Sequence, residues 1–333
     1  MIILAIETSC DDTSLAIFKN NKLLSMDTKS QIKIHNLTGG VVPEIAAREH
    51  ANVIFEVLEN VLNSSNISLN EIDYIAVTSY PGLIPSLLTG ITVAKTLAKV
   101  LNKPLLELNH IEGHIFSNFL ERKESDIQFP LVCLTVSGGH NDIYFMSSMF
   151  KMQKIGSSND DAAGESYDKV AKMMGLDYPG GPIISKLAKK YIEMGFITSK
   201  KESLFPRVWL DKNKFDFSFS GLKSAVKREI DKRILKKLEL TLEDKIEISF
   251  EFQNAVNEVL AYKLIYSALE KNVKTVMLAG GVSANDDLKS KIKTLSNKNN
   301  LNFIFPIKYL YSMDNAAMIG ILAYYKIKNT IKY

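Results

Sequence analysis

"IILAIETSCDDTSLAIFKNNKLLSMDT", residues 2–28, consists of three short apolar-rich runs separated by "CDD" and "NN". Asp and Asn favour turns because their side chains bond their own backbone, so the runs read as consecutive strands joined by tight turns. An amphipathic stretch from Pro43 to Leu62 follows. Proline suits a first helical position and Asn63-Ser64-Ser65 ends the pattern, which predicts a long helix. Next come a strand in "IDYIAVTS" (72–79), a helix through "LLTGITVAKTLAKVL" (87–101), a short strand in "KPLLEL" (103–108) and a helix at "NHIEGH" (109–114).

The second half returns to this order. "FPLVCLTVSGGHNDIYFMSS" (129–148) reads as a strand, a Gly-Gly turn and a strand, and "KMQKIGSS" (151–158) as a third strand. Helices are predicted to fill residues 164–270, interrupted at "DYPGGP" (177–182) and "FDFSFSG" (215–221). A strand in "KTVMLAGG" (274–281), a helix in "SANDDLKSKIKTLS" (283–296), a strand in "NFIFP" (302–306) and a last helix in "SMDNAAMIGILAYYKI" (312–327) complete the chain. Two such units imply an internal duplication. This is the element order of the actin, Hsp70 and sugar-kinase (ASKHA) architecture. The expected fold is α/β and duplicated, with two domains and a central interdomain cleft where a ligand can lie. Expected boundaries are 1–126 plus 311–333 for the N-terminal domain and 127–310 for a C-terminal domain with a helical insertion.

Hydrophobic residues make up 46% and charged residues 23% of the 333 positions, as in soluble globular proteins. A net charge of +4 does not by itself announce nucleic acid. The two cysteines, Cys10 and Cys133, give no disulfide framework, which suits a reducing compartment. No signal-type segment opens the chain, and no apolar run reaches the roughly 20 residues that span a bilayer. A cytoplasmic protein without a membrane is expected.

His110 and His114, two of five histidines, stand at i and i+4, so a helix puts both imidazoles on one face where they can grip a divalent metal. The zinc-protease pattern H-E-x-x-H needs its Glu directly after the first His; Ile111 holds that place and Glu112 lies on another face. Two ligands are too few, and Asp314 is the best third candidate. On residue type alone, its position before an apolar helix favours a cap. Gly pairs at "TVSGGHND" (135–142), "YPGGP" (178–182) and "AGGVSAN" (279–285) can bring backbone amides up to a phosphate, or be ordinary turns. Together they suggest a nucleotide. "ETSCDDTS" (7–14) places Asp11 and Asp12 in a turn, where either can hold a cation or act as a base, or simply favour the turn. In "DDAAGESYDKVA" (160–171) capping accounts for the first acids but not for Asp168. "KREIDKRILKK" (227–237) is a solvated basic face or an RNA contact.

"IETSCDDT", "GGVVPEIAAREH", "NHIEGH", "VSGGH", "DDAAGESYDKVA", "YPGGP", "FDFSFSGLK", "AGGVSAN" and "MDNAAM" occur in one order. That series resembles the TsaD family of tRNA threonylcarbamoyladenosine transferases, once labelled glycoproteases, from residue 2 to about residue 320, in a form similar to the bacterial one. The resemblance implies transfer of a threonylcarbamoyl group from L-threonylcarbamoyl-AMP to N6 of the adenosine 3′ of the anticodon, in tRNAs reading codons that begin with A. It implies one metal ion, usually iron or zinc, on His110, His114 and Asp314, which overrides the cap reading of Asp314. It implies adenylate or ATP contacts at Thr135, Val136, Ser137, Gly138, Gly139, Asp168, Gly181 and Asn285. It also implies a TsaB-type paralogue and a TsaE-type ATPase as partners. Asp11 is the candidate base near the adenine amine. Met313, Pro85 and Ser166-Tyr167 depart from the usual pattern without removing a proposed ligand. The competing readings are a small-molecule kinase of the same architecture, which leaves the histidine pair without a role, and a metalloprotease, which lacks H-E-x-x-H.

Overall fold

The computed structural model describes residues 1–195, 203–211 and 213–331. It divides into two compact units, Met1–Asp126 with Pro306–Tyr333, and Ile127–Phe305. The chain returns to the first unit at Pro306, ahead of the residue 311 expected from the sequence.

The first unit opens with β1 (Ile2–Glu7), β2 (Asp12–Lys19) and β3 (Lys22–Ser30). A short α1 (Ile32–Thr38), absent from the sequence reading, precedes α2 (Pro43–Ser65), which runs three residues past the expected Leu62 before Asn66 closes it in a left-handed conformation. Then come β4 (Tyr74–Tyr80), α3 (Ile84–Leu101), β5 (Leu105–Asn109) and α4 (His110–Phe116). The sheet order is β3-β2-β1-β4-β5, with β1 antiparallel to β2 and parallel to β4. β1 is almost continuously apolar because both faces are covered. Leu4, Ile6, Leu15 and Ile17 pack with Ile54, Val57 and Val61 of α2 and Ala94 of α3. α3 is, among the described residues, the one helix long and apolar enough to cross a membrane by length and composition. Here it packs beside α2 and β4.

The second unit repeats the topology. β6 (Leu131–Val136), β7 (Asn141–Ser148) and β8 (Lys151–Ser157) lead into α5 (Ala163–Met173), α6 (Gly180–Glu193), α7 (Ser220–Lys237) and α8 (Leu242–Glu270). β9 (Thr275–Ala279), α9 (Asp286–Lys298) and β10 (Asn302–Ile304) follow. α10 (Ala316–Ile331) then belongs to the first unit, where Gly320 lets the Phe18 ring come within 2.4 Å of where a Cβ would stand. The second sheet runs β10-β9-β6-β7-β8, again with its first strand antiparallel to the second and parallel to the fourth. Matching strand orders are what a duplication produces, and the duplicated α/β reading holds. α8 is buried along most of its length, through Phe252, Val256, Leu260 and Leu264. Residues 196–202 and 212, inside the stretch expected to be helical, lie outside the described residues.

Candidate metal centre and nucleotide loops

Asn109 ends β5 and its side chain accepts the Glu112 N–H at 3.0 Å, which caps α4 and starts it at His110. His110 and His114 therefore share one face, with ring centroids 4.6 Å apart. Asp314 Oδ1 lies 3.1 Å from His114 Nε2 and 3.6 Å from His110 Nε2. One ligand atom from each residue falls within 4.8 Å of the other two. The cap role that residue type assigned to Asp314 belongs to its neighbour, because Asn315 Oδ1 accepts the Met318 N–H at 3.1 Å.

These side chains fit a divalent ion. His114 is fully buried, yet neither ring nitrogen makes a hydrogen bond. Leaving such a group unsatisfied costs about 1–3 kcal/mol. Donors held at about 2.1 Å in tetrahedral array stand roughly 3.4 Å apart, close to the spacing seen. Two imidazoles and a carboxylate are a transition-metal donor set. The Glu112 carboxylate is engaged by Lys326 at 2.6 Å, so it has no place in a protease mechanism here.

Sequence reasoning missed what stands behind His110. Its Nδ1 is 3.0 Å from Ser9 Oγ and 3.4 Å from Glu7 Oε2. Burial pulls the His110 ring down, but Asp314 and then Glu7 push it up to about 9. Burial, and to a lesser degree the charge of Asp314, raise Glu7; the facing His110 outweighs them and holds the carboxyl below its usual value. Burial, and then the charge of Asp314, raise the Asp11 carboxyl. Burial first, with Asp11 and Asp314 adding to it, pushes Asp12 up to about 7. The turn carrying Asp11 is fixed from outside, with His50 Nε2–H donating to the Cys10 carbonyl at 2.9 Å and Gln31 N–H to the Asp11 carbonyl at 3.0 Å. A carboxylate closing an apolar strand, as Glu7 does, was the signal available in the sequence.

In the second unit, contacts join the predicted loop residues into one chain. Thr135 and Val136 end β6, and the Thr135 hydroxyl donates to the Asp142 carbonyl at 3.3 Å. Ser137 and His140 close the turn, Ser137 N–H donating to the His140 carbonyl at 2.9 Å. The Gly138 carbonyl accepts the Glu165 N–H at 3.0 Å, seating the loop on the start of α5. Asp168 on α5 accepts the Gly180 N–H at 2.7 Å, so it caps α6 and lies next to Gly181. Gly138, Gly139 and Gly181 each face open space, with nothing within 4 Å of a Cβ. Asn285 caps α9 through Leu288 N–H at 3.0 Å and donates to Ser185 Oγ and Gln253 Oε1, each at 2.9 Å. Its amide is thus engaged inside the protein, where the resemblance implied a substrate contact. The acids before Asp168 are structural: Asp160 accepts the Phe219 N–H at 2.8 Å at the start of α7, and Asp161 pairs with Lys169 and Lys223. The basic helix is also largely neutralised, by Asp231 on Lys227, Glu229 on Lys232 and Arg233, and Asp244 on Arg233 and Lys237.

Residues 22–321 match the family model described as TsaD, tRNA N6-adenosine threonylcarbamoyltransferase. Proteins of that name from Staphylococcus haemolyticus and Persephonella marina are 46% and 45% identical, over 99% of this chain and 92% and 91% of theirs. Among solved structures, component A of the Acidaminococcus fermentans (R)-2-hydroxyglutaryl-CoA dehydratase aligns with TM-score 0.54 at 14% identity, over 98% of this chain and 99% of its own. HypF of T. kodakarensis aligns with TM-score 0.58 at 12% identity, over 98% of this chain and 48% of its own. These two share the fold alone. The sequence matches go further: the chain belongs to the tRNA N6-adenosine threonylcarbamoyltransferase family, TsaD, and is a transferase of tRNA modification.

Proposed function

We propose that the chain transfers the threonylcarbamoyl group from L-threonylcarbamoyl-AMP to N6 of the adenosine 3′ of the anticodon, in tRNAs reading codons that begin with A. The observation that carries this reading is the convergence of His110, His114 and Asp314 on one point. The donor is a mixed anhydride, already activated. The adenine amine is a poor nucleophile, so the work left is positioning and charge stabilisation. His110, His114 and Asp314 would hold one iron or zinc ion. That ion supplies a template and Lewis acid for the threonylcarbamoyl end. Backbone amides of Gly138 and Gly139, the start of α6 at Gly181, and Asp168 take the adenylate end, with Thr135, Val136 and Ser137 setting the loop and Asn285 holding α6 and α9 together. The new N–C bond forms at the carbamoyl carbon, the bond to the phosphate oxygen breaks, and AMP leaves. Asp11, its carboxyl raised by burial and Asp314, accepts the proton from N6.

The partners proposed are a TsaB-type paralogue and a TsaE-type ATPase, in the cytoplasm. α2 and α3 support the first. Phe55 and Leu88 are exposed there, beside a hollow of about 360 Å³ lined by Ala51, Ile54, Thr92 and Val93. The test supplies synthetic threonylcarbamoyl-AMP, partners and unmodified tRNA, with the anticodon-adjacent adenosine present or replaced by guanosine. Nucleoside mass spectrometry should find threonylcarbamoyladenosine only with the adenosine, alongside released AMP. His110→Ala with His114→Ala should abolish both bound metal and product; product formed at the wild-type rate without the triad refutes the mechanism.

A further inference from the structure

We infer that Glu7 is a positioning residue that sets the tautomer of His110 and so presents the Nε2 lone pair of that ring to the cation. This rests on the metal reading above. β1 is fully buried from Ile3 to Ile6 and ends in a carboxylate with no solvent exposure. A buried carboxylate persists only with partners, so its partners reveal what it serves. Ser9 N–H donates to Oε1 at 2.6 Å, the Thr78 hydroxyl donates to Oε2, and His110 Nδ1 stands 3.4 Å from Oε2. An ionised carboxylate only accepts, so Nδ1 carries the hydrogen and shares it between Glu7 and Ser9 Oγ at 3.0 Å. Nε2, the atom 3.6 Å from Asp314 Oδ1, is then the nitrogen left to give up its proton and offer a lone pair to a cation. The opposite tautomer sets a lone pair on Nδ1 against a carboxylate oxygen.

Ser9 cannot make this choice, because a hydroxyl donates or accepts and fits either tautomer. His114 has no equivalent of Glu7, since no hydrogen bond reaches either of its ring nitrogens. The two histidines are therefore unequal. His110 is preset by the sheet, through a residue paired with Ser14 on β2 and bonded to Thr78 on β4, while His114 is held by packing. A carboxylate behind a ligating imidazole fixes ring orientation and raises ligand basicity, and its loss typically weakens metal affinity 10- to 100-fold.

The test is competition titration of Zn²⁺ against a chromophoric chelator on the intact chain, with long-range ¹H–¹⁵N spectra of the histidine rings. Glu7→Gln keeps the shape but can accept at one end only. Its zinc affinity should fall about 10- to 100-fold. Ser9→Ala should stay within about threefold of wild type, because Glu7 still holds Nδ1–H. In zinc-loaded wild type, His110 should be protonated at Nδ1 and bound through Nε2. This spectrum needs no variant, so a Glu7→Gln chain that fails to fold leaves the inference testable. Unchanged affinity in folded Glu7→Gln, a loss carried wholly by Ser9→Ala, or zinc bound to His110 through Nδ1 would each overturn it. A wild-type chain that binds no zinc brings down the metal reading itself, and this inference with it.

Discussion

Gly138 and Gly280 look alike in the sequence, each opening a Gly-Gly pair after an apolar strand, but the structure separates them. Gly280 has φ +88° and ψ 168°, a region essentially confined to glycine. A Cβ there would lie 2.4 Å from the Val136 carbonyl oxygen and 2.8 Å from its carbon. Ordinary contact begins about 1 Å further out, and the obstacle is β6 backbone, which has no rotamer to change. Backbone strain of about 1–3 kcal/mol adds to overpacking of about 1–3 kcal/mol, so Gly280→Ala should lose about 2–6 kcal/mol of stability. That is a large share of the 5–15 kcal/mol typical of a folded chain. Gly138 is not in the left-handed region, and a Cβ there meets nothing within 4 Å. Gly138→Val should therefore change stability by less than about 1 kcal/mol. Its side chain would occupy the space that a phosphate on the Gly138 and Gly139 amides needs, and AMP affinity should drop at least about tenfold, or 1.4 kcal/mol. Urea unfolding of both variants and calorimetry with AMP on Gly138→Val make the comparison. A loss under about 1 kcal/mol for Gly280→Ala refutes the steric argument. Wild-type AMP binding by Gly138→Val refutes the placement of the phosphate.

Asp160→Ala removes the acceptor shared by Ser218, Phe219 and Ser220 at the start of α7 and should cost about 2–3 kcal/mol in urea unfolding. Asp244 concerns pH. Burial alone would raise its carboxyl, but bonds from Thr241, Lys237 and Arg233 bring it to about 2 from 3.8. A depressed carboxyl stabilises the fold above its unfolded value, and the contribution disappears as pH falls from about 4 to about 2. Its side chain is 7% exposed while Lys237 is half exposed, so screening reduces the gain to about 1–2 kcal/mol. Unfolding from pH 6 down to pH 3 should show Asp244→Asn losing that amount at pH 6 and converging on wild type below pH 4.

The three strands that open each unit were legible because their apolar runs are split by residues that favour tight turns. α1 was not legible because its hold is tertiary: the buried His35 ring bonds Gln31 Oε1 at 3.0 Å, and Gln31 in turn donates to the Ala46 carbonyl at 3.2 Å. Asp314 and Asn315 are adjacent and both can cap a helix, so residue type could not say which of them turns toward the histidines. The distinction appears only when Asn315 is seen to accept the Met318 N–H, which leaves the carboxylate beside the imidazoles. Asn285 shows the reverse, a motif position whose amide is engaged by Ser185, Gln253 and Leu288. A residue that touches a ligand and a residue that braces one can have the same place in a motif. What separates them is whether the polar atoms already have partners. By that criterion His114, with two buried nitrogens and no hydrogen bond, is the side chain in the first unit whose environment most requires a ligand. Glu7, with its partners all donors, is the one whose environment explains why His110 can supply the second lone pair.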